Sequence, residues 1–314
     1  MQLWALVCDS FRYALDRKIF WVLVAITALV VLFMLCVGFE EDRISLVFGL
    51  WEVNTEGYNP LASIGQTRII GMMVYYISDV FLGWIGITLM IIATAGVFPC
   101  MMEPGAVDVL LGKPIHRLRL FLYKYVAGMV FVLLQATLFV GATFLVMGFR
   151  WHVWAPGYLV CIPLMVLLFS YLFCVSVLVG VYTRSSVAAI LVSLAAWVAF
   201  ALVSQAPALF TVFPELQQHR RIHKTVRIIG YLPPKTADIP FLAAKCAGGG
   251  TSIDTVPESV IDSGPHTDRE SINRSRQWEE EQIRMSLWKS IGSSLLFEAF
   301  IVLLAMRKFS RQDF

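Results

Sequence analysis

Hydrophobic positions along this chain fall in long uncharged blocks, separated by short polar links and one extended polar stretch. The first block covers residues 19–38 and is introduced by Arg17 and Lys18. Further blocks occupy 80–102, 125–149, 151–183 and 185–214, and a last one, 290–306, is interrupted only by Glu298. A helix needs roughly 20 apolar residues to cross the hydrocarbon core of a bilayer, and each block approaches or exceeds that length. Only internally hydrogen-bonded helices or closed barrels satisfy their backbone groups in lipid, and the short alternating segments of barrel strands are missing. The pattern therefore predicts six transmembrane helices in an all-α chain. The first block is longer than the about 7–15 apolar residues of a signal peptide, and no small-x-small cleavage site follows it, so it is expected to persist as a span.

The remaining stretches divide the chain further. Trp4, Val7, Cys8, Phe11 and Leu15 recur at helical spacing, with Asp9, Arg12 and Asp16 mostly elsewhere on the wheel, so residues 1–18 read as an amphipathic helix lying in the membrane interface. Residues 19–204 carry the first five spans. Residues 205–287 form one large segment before the last span, and 288–314 hold that span and a short tail. Within the large segment, 216–229 has the pattern of an interfacial helix, 247–264 is rich in Gly, Ser, Thr and Pro and reads as a flexible linker, and a second polar helix starts near Asp268.

Composition agrees with this layout and removes several classes. Of 314 residues, 58% are hydrophobic and 15% charged, with a mean hydropathy of +0.72, whereas charged residues alone make up roughly a quarter of a soluble domain. A secreted disulfide module, a disordered chain and a nucleic-acid-binding domain are excluded. The net charge of +3 is small, so the distribution matters more than the sum. Residues 40–79 hold six acidic residues against Arg43 and Arg68, and are expected outside. The second-to-third link carries Lys113, Arg117, Arg119 and Lys124, the fourth-to-fifth link Arg184, and the tail Arg307, Lys308 and Arg311, all expected in the cytoplasm. Arg150 is the exception, on the outer side. Both termini then face inward, and 205–287 faces outward.

The second-to-third link is the most informative stretch. Pro104 is placed to open a short helix and Gly112 with Pro114 to end it, leaving about two turns on which Val107, Leu110 and Leu111 share a face. Isolated helices need roughly 12–15 residues to be even marginal in water, so this one must be held by the bundle or by a partner.

These residues resemble the signature of ABC-2 type transporter permeases: an acidic residue before a Gly-Thr pair, then Leu-Leu, Pro, Ser-Arg and a Lys entering the third helix. Glu103, Gly105, Leu110, Leu111, Pro114, Arg117 and Lys124 match, while Ala106 stands for the usual Thr and His116 for Ser. The order of an interfacial helix, six spans and a large segment before the last is similar too. The resemblance implies that 103–117 is a coupling helix docking into an ATP-binding cassette subunit. It further implies that two permease chains, identical or different, pair in a bacterial inner membrane, and that the transporter is an exporter. The Pro233, Pro234, Lys235, Thr236, Ala237, Asp238 run resembles a segment in the branch similar to the permease of the nitrous-oxide reductase (copper enzyme) maturation system.

The chain has no motor of its own. Nothing matches G-x-x-x-x-G-K-[ST], and Gly248, Gly249 and Gly250 lack the Lys that would reach a phosphate. No cofactor is expected here; ATP and Mg belong to the partner subunit. No catalytic arrangement appears, so the chain is not expected to be an enzyme. The rival reading is a membrane assembly protein that docks a cytoplasmic partner without transporting anything.

Glu298 is an intramembrane candidate, because an acid inside a span is costly and often functional. It is open to a cationic ligand, to pairing with Lys289 or Arg184, or to packing between helices. His219 and His223 share a helical face but are only half of a metal site, so no metal is expected. The six cysteines read as small apolar residues. Ser185, Ala189 and Ser193, with Ala195 and Ala199 beside them, suit close helix packing within the chain or between chains. Trp21, Trp84, Trp151, Trp154 and Trp288 read as an interfacial belt.

Overall fold

A computed structural model describes residues 18–40, 43–46, 51–54, 84–102, 117–151, 154, 156–212 and 287–311. The expected interfacial helix at 1–17, the short helix at 103–116, the large segment from 213 to 286 with its linker at 247–264, and His219 and His223 lie outside the described residues.

Helix α1, Lys18–Cys36, is apolar on all sides. Its one buried hydroxyl, Thr27, donates to the Leu23 carbonyl one turn back at 2.9 Å, the local way to satisfy such a group in an apolar setting. After Cys36 the chain enters three four-residue strands, β1 Val37–Glu40, β2 Arg43–Leu46 and β3 Trp51–Asn54, paired antiparallel in the order β1-β2-β3. The register sets Val37 opposite Leu46, Phe39 opposite Ile44 and Leu46 opposite Trp51, while Glu40 faces Arg43. Apolar residues thus stand opposite apolar ones in the register, which favours it. The described residues are almost entirely helical, and this small sheet is their departure from the all-α expectation. Each strand is only four residues long, so its two-residue period is a weak signal beside the acidic character of residues 40–79.

The second apolar block is not one continuous helix. A π-helical turn at 84–86 leads into α2, Ile87–Thr94, and a turn at Ala95 and Gly96 separates it from α3, Val97–Met101. Pro99 explains the break, since it has no N–H to donate back to the Ala95 carbonyl. Helix α4, Arg117–Arg150, runs 34 residues, about 51 Å at 1.5 Å per residue, and so overreaches a hydrocarbon core of roughly 30 Å. A 3₁₀ turn, Pro156–Val160, leads into α5, Cys161–Thr183. Helix α6, Ser186–Val212, follows after a two-residue link, and α7 is Leu287–Ser310.

Helix α5 is the axis of the bundle. It packs against α2, α3, α4, α6 and α7, and seven consecutive residues, 168–174, are buried, which requires neighbours on every side. Helix α1 packs outside it, on α4 and α2. Large apolar side chains remain exposed on α1, α4, α6 and α7, among them Leu29, Leu133, Leu191 and Leu296, as expected where the surrounding medium is itself apolar.

Among the described residues, five helices are long and apolar enough to cross a membrane: Ile19–Cys36, Trp84–Met101, Arg117–Arg150, Pro156–Thr183 and Ser186–Val203. Helix α7, expected as the sixth, is not among them; it carries Lys289, Glu298, Arg307 and Lys308. It nevertheless packs along α5 and α4 as part of the same bundle.

Candidate functional site

Of the residues expected to meet a partner, Glu103, Gly105, Val107, Leu110, Leu111 and Pro114 lie outside the described residues. Arg117 and Lys124 stand in the first two turns of α4, both half-buried. The two ends of the 103–116 segment are described, and they emerge together. Phe98 of α3 has its ring 4.9 Å from that of Phe121 in α4, and Phe121 lies 5.7 Å from Phe309 near the end of α7. All three side chains are buried. Such clustered rings contribute about 0.5–1.5 kcal/mol per pair beyond their area, and they tie α3, α4 and α7 at one end of the bundle. Gly180 of α5 completes this end: a Cβ there would stand 3.3 Å from Pro99, so the missing side chain lets α3 approach closely.

One turn beyond Phe121, Tyr125 begins a polar joint. Its hydroxyl donates to Glu298 Oε1 at 2.7 Å, and Ser170 Oγ lies 2.8 Å from Glu298 Oε2 and also 2.8 Å from the Leu167 carbonyl. One carboxylate on α7 thereby holds α4 and α5. The Tyr125 ring stacks on Phe173 at 5.1 Å, and Phe173 stacks on Phe169 at the same distance. Gly128 gives Phe173 its room, because a Cβ there would lie 2.7 Å from the ring's Cζ. Of the two sequence-expected pairings of Glu298, the one with Arg184 is replaced by this joint. Arg184 lies 14 residues along α5 from Ser170, roughly 20 Å away, and the side chain of Lys289 is outside the described residues. Both oxygens of Glu298 are engaged by neutral hydroxyls, an arrangement suited to holding helices together. Ser170 and Tyr125 carried no signal in the sequence, since nothing there shows which hydroxyls meet the lone acid.

Other candidates resolve differently. Trp151 is buried rather than interfacial: its Nε1 donates to the Val37 carbonyl at 2.9 Å, and Arg150 Nε donates to the Leu35 carbonyl at 3.4 Å. The basic residue that broke the charge bias thus serves, with its neighbour, the carbonyls where α1 runs out of helical partners. Trp21, Trp84 and Trp154 are exposed as expected, and Trp84 rests 4.7 Å from Trp197. Ala189 and Ser193 are fully buried, Ser193 Oγ donates to the Ala189 carbonyl at 2.6 Å, and Ala189 lies against Gly180. Ala189 and Ser193 therefore pack within the chain, α6 on α5, whereas Ala195 and Ala199 beside them are exposed. Cys36, Cys100, Cys161 and Cys174 are free thiols. Among the described residues, two buried polar atoms have no hydrogen-bond partner: Gln135 Oε1, whose Nε2 reaches Thr27 at 3.4 Å, and Ser176 Oγ. Among the described residues, no three His, Cys, Asp or Glu side chains converge as a metal site would require.

Comparison with known proteins gives one match. The family model described as ABC-2 family transporter protein matches residues 4–314. No curated protein and no solved structure matches.

Proposed function

The chain belongs to the ABC-2 transporter family and is a transmembrane permease component of an ABC transporter, and on that premise we propose that residues 103–117 are the coupling helix through which an ATP-binding cassette subunit drives it. The observation that carries this reading is the convergence of both ends of that segment on the Phe98, Phe121 and Phe309 cluster. A displacement applied to the segment would enter α3, α4 and α7 at once. Tyr125, one turn further up α4, and Glu298 then transmit it to α5, so that α4, α5 and α7 tilt as a unit. The break at Ala95 and Gly96 supplies a bend between the driven α3 and the rest of its span.

In this reading ATP and Mg are bound by the separate subunit, and this chain is not itself an enzyme. Helix α7 is the sixth span, its charges confined to its ends apart from Glu298. Residues 205–287 lie outside, and both termini lie in the cytoplasm of a bacterial inner membrane. Two permease chains form the path, and the direction is export. The resemblance of the Pro233 to Asp238 run supports the branch similar to the permease of the nitrous-oxide reductase maturation system.

The reading is tested by co-expressing the chain with its ATP-binding subunit and replacing Leu110 with Asp. We expect normal membrane insertion, loss of subunit co-purification and loss of permease-stimulated ATP hydrolysis. Assembly and transport indistinguishable from the unmodified pair would overturn the assignment of the coupling helix. ATP hydrolysis and docking retained without any vectorial movement of solute would instead favour the assembly-protein reading.

A further inference from the structure

At the end of the bundle where α5 gives way to α6 and where α7 finishes, charge and exposure together point to a ligand. Helix α5 is the most enclosed helix, yet in its last turn Tyr182 is 57% exposed. Its ring is met by a cation: Lys308 Nζ from α7 stands 5.2 Å from the ring centroid. Two residues after Tyr182, Arg184 ends α5 in the left-handed conformation, φ 52°, with its N–H donating to the Gly180 carbonyl at 2.9 Å. Its side chain is exposed. Arg311, one turn beyond Lys308, is exposed as well.

No carboxylate joins this group among the described residues. The acidic residues among them are Glu40 and Glu52, whose backbone lies in the strands that follow the far end of α1, and Glu298, held at Tyr125 and Ser170. Apolar surface adjoins the cations directly. Leu304, one turn before Lys308 on the same face of α7, is partly exposed, and so are Leu303 and, at the start of α6, Val187. An anion free in water would gain only the charged contacts. A molecule with a phosphate head and apolar tails would gain both, the guanidinium forks meeting phosphate oxygens and the tyrosine sitting at headgroup depth.

We propose that Arg184, Lys308 and Arg311, with Tyr182 beneath them, bind the phosphate of an anionic phospholipid whose acyl chains lie on the Leu303, Leu304 and Val187 surface. This site is independent of the coupling-helix assignment, and its test does not use transport. The full chain, purified in a mild non-ionic detergent, is titrated with phosphatidylglycerol, with phosphatidylcholine and with inorganic phosphate, and bound lipid is counted by native mass spectrometry. Phosphatidylglycerol should be retained in preference to phosphatidylcholine, and phosphate alone should not compete at millimolar concentration. Each of Arg184→Gln, Lys308→Gln and Arg311→Gln should weaken retention about fivefold, in line with one charge near an anionic lipid. Lys308→Arg should keep it, which separates charge from folding. Equal retention of the two lipids, Gln variants that bind as the unmodified chain does, or displacement by phosphate alone would each overturn the proposal. A triple Gln variant that still holds phosphatidylglycerol but loses the ATP-binding subunit would reassign the cluster to that protein.

Discussion

A carboxylate among apolar side chains has lost its water, and the cost falls only as other groups hydrogen-bond it. Glu298 meets that condition through Tyr125 and Ser170, which lie 173 and 128 residues away in sequence. The lone acid is visible in a hydrophobic block, whereas its partners are two hydroxyls among many. Glu298→Leu should strand the Tyr125 hydroxyl, with a loss of about 1–3 kcal/mol read as a lower melting temperature of the purified protein in detergent. Glu298→Gln still offers an acceptor and should lose less. Adding Tyr125→Phe to Glu298→Leu should recover part of the loss, because the stranded group is then gone; additive losses would show that the two residues do not form one joint. Trp151 teaches the converse lesson. An aromatic residue near a span end suits the interface or the core equally well by sequence, and the Val37 carbonyl decides it.

Elements were most legible where hydrophobicity was continuous and least where a break or a change of period was short. The apolar blocks located α1, α4, α5 and α6, because in lipid the helix is the one open-chain solution for the backbone. The division of the second block into α2 and α3 required weighing Pro99 against the surrounding apolar run. The three strands were readable from the alternation of residues 37–54, but four residues per strand is too short a pattern to compete with the acidic character of the segment. Close approach between elements depended on glycine. At Gly180 a Cβ would meet Pro99 at 3.3 Å and Ala189 at 3.8 Å, so both α3 and α6 use the gap. Gly180→Val should therefore force α5 away from α3, with a cost of about 1–3 kcal/mol from overpacking. If residues 103–117 couple to the ATP-binding subunit as proposed, the same variant should weaken ATPase stimulation more than its effect on melting would suggest, since it displaces the end of the bundle from which that segment emerges. Unchanged stimulation at reduced stability would confine Gly180 to packing.

For the whole molecule, the arrangement of charge predicts an even number of crossings with basic links on one side. In a cysteine-free background, Ser45→Cys should react with a membrane-impermeant maleimide in intact cells, and Arg311→Cys only after the membrane is opened. Labelling of both from outside would exclude α7 as a span that returns the chain to the cytoplasm. The chain alone determined that this is a membrane protein and where most of its spans run, because burial in lipid is dictated by local composition over a span's length. It also marked Glu298 as exceptional. Only the tertiary structure decided that α5 is the central helix, that Ala189 and Ser193 of α6 pack inside the chain, and that Glu298 joins α4, α5 and α7. In a bundle whose helices are all apolar, hydrophobicity no longer distinguishes one face from another. Neighbours are then selected by side-chain shape and by a few polar contacts between residues far apart in sequence, and those become visible only when the helices are assembled.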